Sequence, residues 1–339
     1  MVGESDQGAG ALVRLMTVPA DQRDDRWLEE GLQKAVELEM STIPPYLYAA
    51  WSIDASQDPS RTRGVIVGIA REEMLHMGIA CNLLASIGGQ PKIVQTAPRY
   101  PTNLPKHVHK GLQVALEPLS RDLLLRTFMA IEEPAAHLVE DPDFVPSGST
   151  LISDFYDALQ HAFEPPHSPD LSTARQINLD NFFFKGSFVV ANLDDVHAAI
   201  GLIKRQGEGT STAPFENRAD PEELAHFYQF GEIAHGHRLT RTAPFTYTGD
   251  VVQMPAVRTV APADPTAPAA TQFNRLYSDL LGDLEQAWDG GGNDPLRGAV
   301  DKMNDLGGAA EQMIRQGAGP PFVVVDTSGS PLGPPDLGP

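Results

Sequence analysis

The chain alternates between long stretches whose apolar residues recur every three or four positions and connections rich in proline, glycine and threonine. The first periodic stretch covers residues 26 to 52, with Leu28, Leu32, Ala35, Val36, Ile43, Leu47 and Ala50 on one stripe, a spacing that predicts an amphipathic helix. Pro44 and Pro45 fall inside it, and each removes a backbone donor, so a kink or local unwinding is expected there. The second stretch, from about 61 to 87, carries Ile66, Ile69, Ala80, Leu84 and Ile87 and stops at Gly88-Gly89, a helix C-terminal signal. The short DASQDPS connection makes these two helices antiparallel neighbours.

A Pro-rich crossover, PKIVQTAPRYPTNLPKHVHK, with room for a short strand or two, leads to a third helix near 120 to 139. Ser120 is its expected N-cap, Leu125, Phe128, Ala136 and Val139 share a face, and Pro134 breaks the bonding. A short helix is expected near 150 to 162 and a fourth long one over 191 to 206, with Val196, Ile200 and Ile203 as its apolar row. Another opens at Asp220-Pro221, where Asp220 as N-cap, Pro221 as first helical residue and Glu223 two further on read as a capping box. The organisation is therefore all-α: a helical bundle over 1–245 with long crossover loops, a Pro/Ala/Thr-rich linker over 246–270, an additional C-terminal helical pair over 271–325 packing on the bundle, and a disordered tail over 326–339.

Composition narrows the partners. A formal charge of -20, from 45 acidic against 25 basic residues, argues against nucleic acid and against an anionic membrane surface. No apolar run approaches the ~20 residues that span a bilayer, and the polar start MVGESDQGAG lacks a secretory pattern, so a cytoplasmic protein is expected. The single cysteine, Cys81, lies in an apolar helical run and reads as core packing.

Against this background, three acids are misplaced. Glu39 lies on the apolar stripe of the first helix, whereas Glu37, about 200° around at 3.6 residues per turn, reads as solvated. Glu73 and His76 lie on the stripe of the second, and Glu132 on that of the third, while Glu133 falls with Arg126, Met129, His137 and Glu140 on a more solvated face. A carboxylate in a helix core must be neutralised, paired or bound to metal. Glu-x-x-His on a helix following one with an inward Glu is the half-site of a carboxylate-bridged di-metal bundle. Carboxylate oxygen with some imidazole suits iron, with manganese as the alternative, and open coordination positions accept dioxygen or peroxide. Tyr46, seven residues after Glu39 on the same face, reads as a core tyrosine in preference to a ligand's hydrogen-bond partner. Glu208, in Gln-Gly-Glu-Gly, reads as a loop acid and His226 as an ordinary helix histidine, while Glu232 and His235 form a second Glu-x-x-His that competes with them.

The segments ELEMSTIPPYLYAAWSI, REEMLHMGIACNLLASIGGQP, FMAIEEP, IGLIKRQGEG and HFYQF, followed by FNRLYSDLLGDL, MNDLGGAAEQM and GPPF, resemble successive blocks of the ferritin-like family named for iminophenylpyruvate dimer synthase. The resemblance covers nearly the whole chain and implies a ferritin-like four-helix bundle. It places Glu39, Glu73, His76, Glu132, Glu208 and His226 at the metal positions. It also implies two iron ions, a small-molecule substrate such as an amino-acid-derived imine, and dioxygen or peroxide as co-substrate, with a homo-oligomer left open. Glu208 and His226 depart from the simple bundle pattern, which keeps Glu232 and His235 open as replacements. An iron-handling or peroxide-consuming protein, and a non-catalytic partner retaining a structural metal, are the alternative functions.

Overall fold

The computed structural model describes residues 11–103, 112–146, 152–166, 168–181, 186–217 and 220–332. A short helix α1 (Ala11–Thr17) precedes α2 (Asp25–Ser52), which starts where Asp24 accepts from the Trp27 backbone at 2.9 Å. The connection folds back into α3 (Thr62–Ser86), and α2 and α3 pack along most of their length. Gly88, with φ 87°, and Gly89 end α3 by donating to Ala85 O and Leu84 O.

Helix α2 runs without interruption through Pro44 and Pro45, contrary to the expected unwinding. The missing N–H of Pro45 would have bonded Ser41 O, and Tyr100 Oη donates to that carbonyl instead at 2.8 Å. Tertiary structure supplies the bond that the local sequence lacks.

The third bundle element is α4 (Arg121–Leu123), a π-helical turn (Leu124–Phe128) and α5 (Met129–Ile131). Ser120 is its N-cap, as expected. Its end is not at 139, since Glu132 already leaves helical geometry at φ -89°, ψ 16°, two residues before Pro134. The crossover before it carries a two-residue antiparallel pair, β1 (Thr102–Asn103) and β2 (Gln113–Val114), while the HVHK loop lies outside the described residues.

Helix α6 (Ile152–Ala162) is followed by α7 (Leu193–Glu208), which opens with a capping box between Asn192 and Asp195. The capping box expected at Asp220 is absent. Residues 220–224 instead form β4 (Asp220–Leu224) against β3 (Phe215–Asn217), and α8 (His226–His235) starts five residues later than expected. Strand pairing across a short hairpin has overridden a local helix-start signal. Helix α8 packs against the α4–α5 stretch and completes the bundle with α2 and α3.

The linker segment runs in extended form against the C-terminal end of α2, with Asp54 N donating to Ala256 O and Arg258 N to Ser52 O, both at 2.8 Å. Helices α9 (Pro268–Gln286) and α10 (Asn293–Arg315), joined by a π-helical turn at Ala287–Gly291, cover the outer face of α2 and α3. Of the expected tail, residues 326–332 form a turn in which Asp326 N donates to Ser330 O, and 333–339 lie outside the described residues. Among the described residues no helix is long and apolar enough to cross a membrane.

Candidate metal centre

Four elements bring their polar residues to one buried point. Helix α2 contributes Glu39, Thr42 and Tyr46, α3 contributes Glu73 and His76, the end of α5 contributes Glu132, and α8 contributes its first residue, His226. Helix periodicity explains the α2 and α3 sets, since residues three, four and seven apart share a face. His226 arrives differently: the β3–β4 hairpin delivers it to the start of α8, where it is fully buried.

The groups form two donor triads that share one carboxylate: Glu39, Glu73 and His76, and Glu73, Glu132 and His226. His76 Nδ1 lies 3.4 Å from Glu73 Oε1 and 3.6 Å from Glu39 Oε2. His226 Nδ1 lies 3.0 Å from Glu73 Oε1 and 3.6 Å from Glu132 Oε2. The two imidazoles face each other with ring centroids 5.7 Å apart.

Surrounding side chains orient these donors. Gln206 Oε1, in the last turn of α7, lies 2.8 Å from His76 Nε2, and Glu72 Oε2 lies 2.7 Å from His226 Nε2. Both partners are acceptors, so each Nε2 carries a hydrogen and each Nδ1 faces the carboxylates, presenting a lone pair to them when the ring is neutral. His226 Nδ1 is buried without a hydrogen-bond partner. Lone pairs aimed at carboxylates repel unless a proton or a cation stands between them. Tyr46 Oη donates to Glu132 Oε1 at 2.6 Å, Tyr156 Oη of α6 donates to Glu39, and the Thr42 hydroxyl lies 2.9 Å from Glu73 Oε2.

The protonation states follow the same logic. Burial raises the Glu39 carboxyl to about 7 against the opposing hydrogen bond from His76. Burial also opposes charge on His76, but Glu39 and Glu73 outweigh it and push the imidazole up to about 10. His226 lies well above its ordinary range, because Glu132, Glu72 and Glu73 overcome its desolvation. Glu73 is held well below the usual carboxylate range despite burial, by His226 and His76. Without another cation, protons on the imidazoles are what makes this density of buried carboxylate tolerable.

Five of the six residues singled out in the sequence therefore meet here: Glu39, Glu73, His76, Glu132 and His226. Glu208 is the last residue of α7, and its side chain lies outside the described residues. Glu232 does not join the centre, because its carboxylate accepts from Arg238, Arg241 and the Leu239 backbone. His235 pairs with Asp141 at 2.7 Å. Two expectations need correction. Glu133 is buried, since the helix has ended at Glu132 and helical periodicity no longer separates the two acids. Tyr46 packs against Phe128 and Phe230 and also bonds Glu132, so core packing and hydrogen bonding coincide. Sequence reasoning missed Glu72, Gln206 and Tyr156; Glu72 had a signal in its adjacency to Glu73, but Gln206 and Tyr156 arrive from distant helices with no pattern to mark them.

A cavity of ≈ 40 Å³ adjoins the centre, lined by Thr42, Glu133, Ser153, Tyr156, Lys204 and Gly207 among others. This holds a few water-sized molecules. A Cβ at Gly207 would stand 3.1 Å from Glu132 Oε2, so the small residue lets α7 approach that carboxylate.

Comparison with known proteins agrees with this architecture. The ferritin-like family profile matches residues 32–235, which span every described member of the two triads. The chain is 31% identical over 270 residues to a 2-imino-3-(indol-3-yl)propanoate dimerase from Chromobacterium violaceum, a match covering 67% of this chain. It spans only about a quarter of that relative's length, 25%. A crystal structure of a ferritin-like protein from Caulobacter vibrioides superposes with a TM-score of 0.61 at 25% identity, covering 86% of this chain and 96% of the other.

Proposed function

The chain belongs to the ferritin-like family, and from that premise we propose that it is a non-haem di-metal oxidoreductase acting with dioxygen or peroxide on a small amino-acid-derived imine. The observation that carries this reading is the pair of donor triads sharing Glu73, with the buried His226 Nδ1 left without a partner. The donor set of carboxylate and imidazole fits two ions of the iron type, with manganese also accepted. Glu73 would bridge them, Glu39 and His76 would hold one, and Glu132 and His226 the other. Three carboxylates leave one positive charge uncompensated against two divalent ions, and the family resemblance alone offers Glu208 to balance it. When bound, such a pair passes electrons between an organic substrate and dioxygen or peroxide.

The protein's own groups do the rest. Gln206 and Glu72 hold the imidazole tautomers, while Tyr46 and Tyr156 fix the outer oxygens of Glu132 and Glu39. Burial of Glu39, Glu73, His76, Glu132 and His226 keeps bulk water from the reacting groups. The substrate class follows from the relative named as an imino-indolylpropanoate dimerase. Joining two such imines releases two electrons and two protons, which peroxide takes up to become two waters.

A second reading, peroxide consumption or iron handling without an organic substrate, is favoured by the ≈ 40 Å³ cavity, which admits dioxygen or peroxide but not an indole. Elemental analysis of wild type and Glu73→Ala tests both readings. Two equivalents of iron or manganese, lost in the variant, support the di-metal centre, and no bound metal after anaerobic reconstitution overturns it. Dioxygen uptake that requires added imine selects the first reading, and equal uptake with ferrous iron alone selects the second.

A further inference from the structure

A second, larger cavity lies away from the metal centre. It measures ≈ 450 Å³ and sits between the outer face of α2–α3 and the covering pair α9–α10. Pockets of this size hold drug-sized ligands, whereas unoccupied voids larger than a water are rare in close-packed interiors. None of the residues of the two donor triads lines it.

Its walls are of two kinds. Met40, Met74, Met77 and Met303 contribute flexible, polarizable side chains, which adapt to the shape of an occupant. Trp51 and Trp288 contribute rigid flat surfaces. Trp51 stacks on Phe322, with centroids 6.0 Å apart and planes 1° from parallel. Trp288 is fixed by its Nε1 donating to Asn82 Oδ1 at 2.9 Å. Rigid aromatic faces opposite adaptable thioethers suit an apolar body with a flat or branched outline.

The covering helix leaves its side of the cavity open. Gly307 and Gly308 lie together within α10 and line the cavity, although glycine weakens a helix interior. Their presence is not required by the protein's own packing. A Cβ at Gly307 would meet only Trp51 Cζ2, at 4.0 Å, and one at Gly308 would meet nothing within 4 Å. Gly307 is half-buried and Gly308 exposed, so a side chain at either position has room.

Three charged residues line the cavity as well: Arg63, Arg71 and Glu311. Arg63 pairs with Glu311 of α10, tying α3 to the covering helix. Arg71 is exposed and has no ion pair or hydrogen bond among the described residues. In a chain of charge -20, an unpaired arginine at the edge of an apolar chamber is a local reversal of sign. A guanidinium there matches a carboxylate in charge and in shape.

We infer that this cavity is a second ligand site, separated from the metal centre by α2 and α3, and that it takes a monocarboxylate with an apolar body whose head group meets Arg71. Isothermal titration of the full chain with 1-naphthaleneacetate, decanoate and neutral 1-naphthaleneacetamide tests it. Naphthaleneacetate as the tighter ligand identifies an aromatic acid, decanoate as the tighter one an aliphatic acid, and either supports the site. The amide should bind about tenfold more weakly than its carboxylate, and Arg71→Ala should remove that difference. Gly307→Leu should abolish binding while melting no lower than wild type, and Val300→Phe serves the same purpose if that variant fails to fold. Glu73→Ala should bind as wild type does. Absence of binding by both carboxylates up to their solubility limits overturns the inference. So does equal affinity for acid and amide, retention of binding in the filled cavity, or loss of binding in Glu73→Ala, which would put the ligand at the metal centre instead.

Discussion

The two sides of the α2–α3 pair are built from neighbouring residues and have opposite character. Glu39, Glu73 and His76 face the inner chamber, whereas Met40, Met74 and Met77, each one residue later, line the outer cavity. One step along a helix turns a side chain by about 100°, enough to move it across a two-helix layer. The inner chamber is small, and Glu39, Glu73 and Glu132 in it each accept a hydrogen bond from a hydroxyl. The outer cavity is more than ten times larger and mostly apolar. Buried charge is tolerable only where every donor and acceptor is matched, which forces tight packing, while apolar walls can stand apart around an occupant.

The sharpest way to break this contrast is to remove metal. A chelator should destabilise the loaded protein by about 4 kcal/mol per ion at free metal 1,000-fold above the dissociation constant. A melting temperature indifferent to chelation would show the inner chamber to be held by protons alone. Next in size is Met40→Glu, which puts a carboxylate on the wrong side, in a wall of methionine, leucine and tryptophan side chains. Denaturant unfolding should register a loss of about 3–5 kcal/mol, and a neutral result would mean that the outer cavity tolerates charge as the inner one does.

Tyr46→Phe and Tyr156→Phe should each weaken metal binding by about 10–100-fold, read by competition with a chromogenic chelator, because each removes the group that orients a ligand carboxylate. Unchanged affinity would reduce both tyrosines to packing. The smallest effect is expected from Met77→Leu, below about 1.5 kcal/mol with full metal content retained. A loss of metal in that variant would show that the two chambers are coupled through α3.

Legibility in the sequence followed the range of the interaction. Glu39, Glu73 and His76 were readable because each sits on a long helix whose apolar stripe makes an inward acid conspicuous. Glu132 was readable by the same argument, even though its helix stops at Ile131, because Leu125 and Phe128, which precede the break, already set the face. Glu133 was misread for the same reason, being the first residue to which the period no longer applies. At His226 the local signals pointed to a helix starting at Asp220, and the hairpin with Phe215–Asn217 prevailed. Glu232 looked equivalent to Glu73 in sequence, yet Arg238 and Arg241 neutralise it away from the centre.

The sequence by itself determined which helices exist, which faces they bury and that buried carboxylates need compensation, because those properties depend on residues within a few turns of one another. Only the tertiary structure decided that His226 completes the second triad, that Gln206 and Glu72 set the imidazole tautomers, that Tyr100 repairs the proline gap in α2, and that a large apolar chamber lies behind the metal side. Each of those depends on groups brought together from distant segments, where chain distance carries no information about contact.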